Sequence, residues 1–386
     1  MSTNKRAMES AGYIVSVLLL LSLWSCGTSD EAYHSPMRVD IDARHEVSIF
    51  DIFERIELIP LETTDESIFQ NVHQLYYHNG VLYIRDWRKI FAFDATTGQF
   101  LFKIDDQGQG PNEYIHIADF EIIGHQNKML ILDPIGRNLL EYDLNGTFVN
   151  RIGLPEIINA YLSIRYLGND IFAFWTFDRS NRLKFYDRSL NSIFLETSPG
   201  IEEITFSATI PPRMFGDFFM KEGAFDNSVY EVFPDGTYSM VYTWDFGRLN
   251  NCVSMVQNFP ERLSNAEEAR RWQEQVSNSE VVNYLFIAIG GNQAYRYANV
   301  LRRNQFIHLL HNISKGHTHV FTEFSESAPF IPLFWSDEFV IGLGPFGGYG
   351  KETIPDEILD DRNLEIKRNI CEFDNPVLIK YFFGSR

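Results

Sequence analysis

An all-β fold, a six-bladed β-propeller, is the class this chain predicts, on three observations. Short strand–turn–strand units recur along it, at steps of 49, 44 and 48 residues when anchored on Asp94, Asp143, Asp187 and Asp235. Steps of that length with three or four strands each are the period of propeller blades. The units are rich in aromatic and branched apolar residues, which fit pleated surfaces, and the whole chain carries 33 Phe and 18 Tyr. Finally, an apolar segment near the N-terminus is placed to complete the last unit, as ring closure requires if no free edge is to remain.

The first unit is the clearest. Val81–Ile84, Ile90–Phe93 and Phe100–Ile104 are apolar runs separated by Asp86 and by the turn Asp94–Gly98, with a Gly/Pro-rich exit ending at Tyr114. Runs this short cannot complete a stable helix, while Asp and Gly supply turn backbone. The unit recurs as FAFDATTGQFLFKI, LEYDLNGTFVNRI, LKFYDRSLNSIFLE and YEVFPDGTYSMVY, in which Asn145-Gly146 and Asp235-Gly236 are strong hairpin signals. A fifth copy is read at THVFTEF, with Thr322 in the Asp position 87 residues beyond Asp235. The excess is assigned to a helical insertion over 260–303, where Glu261 and Ala266–Trp272 are helix formers. The sixth copy is formed from Phe339–Leu343 and Val377–Phe383, with Ile56–Leu61 expected beside the latter as the closing strand. Pro60 suits such an edge, since proline cannot donate to a ladder. A β-sandwich with long loops would hold the same strands but leaves the regular step unexplained.

The N-terminus carries an address. Lys5 and Arg6 precede an apolar stretch from Ala11 to Trp24, the order of a secretory signal, and too short to span a bilayer comfortably. It ends at Leu23-Trp24-Ser25-Cys26, which resembles a bacterial lipobox; Ser29, Asp30 and Glu31 then resemble the acidic tag of outer-leaflet lipoproteins in Bacteroidetes. The resemblance implies a signal peptide over 1–25, lipidation of Cys26, and a membrane partner reached through that lipid. Residues 26–44, polar and containing Pro36, are read as a tether, and 45–386 as the propeller. The implied location is the outer membrane, facing the cell surface or, alternatively, the periplasm.

With a net charge of −19, the chain repels phosphate backbones, so no nucleic-acid partner is expected. IELIPLETT near the start, GQGPNEY at 108–114 and NPVLIKYFF at the end together resemble the six-bladed β-propeller lipoproteins of Bacteroidetes, relatives of NHL-type propellers. That resemblance spans about residues 45–386. It implies fold and address and leaves activity open.

No nucleophile signature such as GxSxG or HExxH is present, and no cofactor or metal is expected. Gly108-Gln109-Gly110-Pro111 lacks the Lys-Ser/Thr and the following helix that hold phosphate, and reads as a connector between units. His308, His311, His317 and His319 fall within twelve residues, with His317 and His319 on one face of a strand. Cys252 and Cys371 are candidates for pairing in an oxidising compartment. Trp87, Trp175 and Trp335, with Arg85, Asp86, Asp133, Arg137, His317 and His319, are the residue types that would bind a glycan, a peptide or a partner envelope protein. The alternative is a hydrolase or lyase at the channel, using Asp133, Asp178 and the His317/His319 pair as acid and base.

Overall fold

The computed structural model describes residues 36–155, 161–176, 183–197, 218–219, 227–250, 266–346 and 353–384. Two strands precede the first blade, β1 (Met37–Arg38) and β2 (Phe53–Pro60). Blade one comprises β3 (Gln74–His78), β4 (Val81–Arg85), β5 (Ile90–Asp94) and β6 (Phe100–Ile104). Blade two comprises β7 (Asp119–Ile123), β8 (Lys128–Asp133), β9 (Asn138–Asp143) and β10 (Phe148–Gly153). In blade three these are β11 (Tyr161–Gly168), β12 (Ile171–Thr176), β13 (Leu183–Asp187) and β14 (Ser192–Thr197). Blade four contributes β15 (Phe218–Phe219), β16 (Ser228–Val232) and β17 (Tyr238–Asp245). The helix α1 (Ala266–Ser277) leads into blade five, β18 (Asn283–Gly291), β19 (Tyr295–Arg302), β20 (Gln305–Asn312) and β21 (His317–Phe321). Blade six holds β22 (Pro332–Trp335), β23 (Phe339–Phe346), the helix α2 (Asp361–Asn369) and β24 (Pro376–Phe383). The molecule is a six-bladed β-propeller.

Middle strands of each blade read as unbroken apolar runs because both faces pack against neighbouring blades. Leu82–Ile84 with Ile90–Phe93, and Met129–Leu132 with Leu139 and Leu140, are all buried. Outer strands return to mixed composition: Leu101, Val149, Phe194 and Leu195 stand exposed on β6, β10 and β14.

The recurring Asp is explained by its hydrogen bonds. At the third-to-fourth strand turn, Asp94 Oδ1 accepts from the Thr96 and Thr97 N–H groups and the Thr97 hydroxyl. Asp143, Asp187 and Asp235 do the same for Asn145 and Thr147, for Ser189 and Leu190, and for Thr237. The Thr97, Ser189 and Thr237 donors hold the Asp94, Asp187 and Asp235 carboxyls below the usual carboxylate range. In blade five the equivalent residue is Asn312, whose Oδ1 accepts from Ser314 Oγ and the Lys315 N–H. Thr322 lies beyond the fourth strand, so the fifth copy is displaced by ten residues from its expected place. The helical insertion is correspondingly shorter than 260–303: α1 is helical, but 283–302 form the first two strands of the blade.

Ring closure occurs where expected. β2 pairs antiparallel with β24, with Ile56 opposite Tyr381, Leu58 opposite Ile379 and Pro60, the last residue of the strand, opposite Val377. The segment before it is not a tether throughout. β1 pairs in parallel with β17, Met37 with Trp244 and Arg38 with Asp245, and Val39 and Ile41 are buried against blades four and five. Arg302, itself buried, ion-pairs with Asp42 at 2.5 Å, Arg44 donates to Gln305, and the Ser325 N–H donates to the Val47 carbonyl. Ser48 and the Ile49 N–H both donate to Glu326. Residues 36–52 thus form a strap that crosses from blade four over blade five to blade six.

Candidate functional site

Four of the singled-out residues meet at one corner between blades one and two, where the fold itself engages them. Arg85, buried at the end of β4, donates from Nε to Gln74 Oε1 and from Nη1 to the Ile117 carbonyl, both at 3.2 Å. Asp133 is fully buried and accepts from the Ile115, His116 and Gly136 N–H groups at 2.9, 3.2 and 2.9 Å. Those bonds fasten the connector ahead of blade two. Trp87 is 58% exposed on the tight turn between β4 and β5, its ring 5.4 Å from that of His73. The Asp86 N–H donates to the Lys89 carbonyl, while its Oδ1 is buried without a hydrogen-bond partner among the described residues. Burial, and then Arg85, holds the nearby His116 imidazole below its ordinary range against the pull of Asp133.

GQGPNEY is a connector, as expected. Gly110 N–H donates to Glu113 Oε2 at 2.7 Å, and a Cβ on Gly108 would lie 1.9 Å from that same oxygen, so the loop folds its own carboxylate into the space glycine leaves.

The remaining candidates disperse. Arg137 sits in a left-handed turn (φ 56°) and its carbonyl accepts from the Leu154 N–H. Trp175 is only 1% exposed, in the apolar packing between blades three and four. His317 and His319 share a face with ring centroids 4.8 Å apart, but on β21, the outermost strand of blade five, away from any channel. His308 Nδ1 meets the Tyr297 hydroxyl at 2.7 Å and burial pushes its imidazole down to about 4; His311 Nδ1 meets Thr318 Oγ1 at 2.8 Å. No cluster of His, Cys, Asp or Glu among the described residues could hold a metal ion. Asp178 and Cys252 lie outside the described residues; Cys371 is exposed with a free thiol.

Trp335 lines a cavity of about 390 Å³ where blades four, five and six meet. It is walled by Tyr242, Ile289, Arg296 and Trp335 and rimmed by Asn292, Gln293 and Asp337. The wall is built by glycine: a Cβ on Gly290 would come within 2.3 Å of Trp335 Nε1, and Gly291 takes φ +150°. Two first-to-second strand turns are clipped together above it. Asn292 Nδ2 donates to the Ser336 carbonyl, and the Gln293 N–H donates to Asp337 Oδ1 at 3.1 Å. Arg296 Nη1 donates to the carbonyls of Asn292 and Tyr295 at 2.5 and 3.2 Å, and its guanidinium lies 5.5 Å from the Tyr242 ring centroid. Sequence reasoning found only Trp335, because the other walls come from segments up to 95 residues apart. Gly290-Gly291-Asn292 ahead of an aromatic-Arg pair was the one local signal.

A second interior feature joins the first strands of three blades. Glu121 on β7 accepts from the Tyr76 hydroxyl of β3 at 2.9 Å and from Arg165 of β11 at 2.8 Å. Burial pushes the Glu121 carboxyl up to about 7, with Arg165 opposing.

Similarity to known proteins follows this architecture. A protein of Bacteroides fragilis NCTC 9343, provisionally named an exported protein, superposes with a TM-score of 0.72 at 15% identity, over 89% of this chain and 98% of its own. A member of the DUF4221 family from Bacteroides vulgatus ATCC 8482 superposes with a TM-score of 0.52 at 11% identity, over 86% of this chain and 97% of its own. At these identities the likeness is one of fold. No curated protein matches the sequence. The family model for the domain of unknown function DUF4934 matches residues 34–382, and the chain belongs to that family.

Proposed function

We propose that this protein is an exported lipoprotein of the cell envelope that binds the end of a glycan or peptide in the Trp335 pocket. The pocket carries the reading: about 390 Å³, walled by aromatic and aliphatic side chains, with a few convergent polar groups, is the usual make-up of a small-ligand site. Export is supported by the provisional name of the Bacteroides fragilis neighbour and by the signal-like order of residues 1–26. A lipid on Cys26 would hold the propeller at the outer membrane, facing the surface, within the NHL-like lipoprotein group that its motifs resemble. Nucleic acid does not fit a surface this acidic.

The hydrolase or lyase alternative finds no support in Asp133, whose carboxylate is taken up by three backbone donors, nor in the peripheral His317/His319 pair. Binding is tested by screening the full chain against immobilised glycans and peptides beside a Trp335→Ala variant. Retention of a ligand that the variant loses is expected; equal retention by both would remove the pocket from consideration.

A further inference from the structure

Resting on the reading of the Trp335 pocket as a binding site, we infer that Arg296 makes it selective for a sugar residue bearing a carboxylate, of the hexuronate type. The guanidinium is oriented before any ligand arrives. One of its nitrogens is tied to the carbonyls of Asn292 and Tyr295, and its plane lies near the Tyr242 ring. No carboxylate among the described residues lies within ion-pair distance of it, in a protein where Arg165, Arg188, Arg302 and Arg303 each have one. A guanidinium with donors left over, fixed at the wall of a concave site, matches the planar two-oxygen edge of a carboxylate.

The rest of the pocket favours a hydroxylated ring over a peptide end. Asp337 accepts the Gln293 N–H through Oδ1 alone, which leaves Oδ2 to accept from ligand hydroxyls. The Gln293 side chain stands exposed on the rim, able both to donate and to accept. Ile289, Tyr242 and Trp335 supply an apolar wall for ring C–H groups, and the volume suits one or two six-membered rings. A net charge of −19 disfavours an extended polyanion, so recognition is of a single terminal uronate, through a local contact.

The test is calorimetric titration of the full chain with methyl β-glucuronide, methyl β-glucoside and N-acetyl-alanine. The glucuronide should bind at least about tenfold more tightly than the glucoside, the scale of one charge-assisted hydrogen-bonded pair. Arg296→Gln should remove that preference, read as the ratio of glucuronide to glucoside affinity within the variant, and Arg296→Lys, which keeps the charge but not the fork, should fall between. Equal binding of glucuronide and glucoside would overturn the inference while leaving the pocket a sugar site. N-acetyl-alanine binding as tightly as the glucuronide would overturn it in favour of a peptide terminus. If none of the three binds at millimolar concentrations, the pocket reading falls with it. A melting curve for each variant separates lost binding from lost fold.

Discussion

Asn363 Oδ1 accepts the N–H of Leu58 at 2.7 Å while Asn363 Nδ2 donates to the Ile56 carbonyl at 3.3 Å, so one side chain on α2 imitates a neighbouring strand. The strand it covers is β2, the outer strand that closes the ring. Asp360, the N-cap of α2, holds the amide in place by accepting from both its backbone N–H and its Nδ2. An edge that would template aggregation is thereby hidden.

Asn363→Leu should therefore leave a buried N–H and C=O of β2 unpaired, at a cost of about 2–4 kcal/mol for the two groups. Denaturant titration would measure it. A loss below about 0.5 kcal/mol would mean that water serves the edge equally well.

Truncation of the N-terminus should separate three regimes. Removal of residues 27–35 should leave the melting temperature unchanged. Extending the deletion through Asp42 removes Val39 and Ile41, whose burial is worth about 1.5–3 kcal/mol each, and takes the Asp42 carboxylate from the buried Arg302, which keeps the more distant Glu280 at 3.5 Å. Deletion through Leu61 should give an aggregating protein. Identical melting of the last two would show that β2 does not close the ring.

Glu121 should make stability fall as pH rises. Its folded value of about 7 exceeds the unfolded value near 4.5, so the fold favours the protonated form and is most stable, relative to Glu121→Gln, below pH 4.5. On the order of 3 kcal/mol of that advantage should be lost by the time pH passes 7. Tyr76 from β3, Asp119 from β7 itself and Arg165 from β11 are the groups facing it. Parallel pH–stability curves for the two proteins would show that the carboxyl titrates at its ordinary value.

Cys26→Ala should move the protein from a detergent-requiring membrane fraction to a freely soluble one. Unchanged partition would assign membrane attachment to another segment.

Much of the fold was legible because its turns are local chemistry. Asp94, Asp143, Asp187 and Asp235 each hydrogen-bond residues two to four positions ahead, so their recurrence marks the blades. Asn312 performs the same task with one oxygen, and a pattern keyed to Asp passed over it and read strands 283–302 as helical insertion. The docked part of the N-terminal strap was missed for the opposite reason. Its only sign was Val39 and Ile41 alternating with Asp40 and Asp42, too short a period to register as a strand. The pocket was least legible, since Tyr242, Arg296 and Trp335 become neighbours only once three blades have assembled. Conversely, Arg85 and Asp133 looked like ligand residues because the groups that satisfy buried backbone are of the same types that meet ligands.

The strap and its closing strand also impose an order in time. β2 pairs with β24 across more than 300 residues of chain, and β1 waits for β17 across about 200. Non-local pairing of this kind slows folding, because the entropy of closing the loop is lost before the contacts form. β2 is thus made long before its partner, and Ile56, Leu58 and Ile59 remain unsheltered until β24 appears. A slow closing step, the pairing of β2 with β24, follows from where β2 sits.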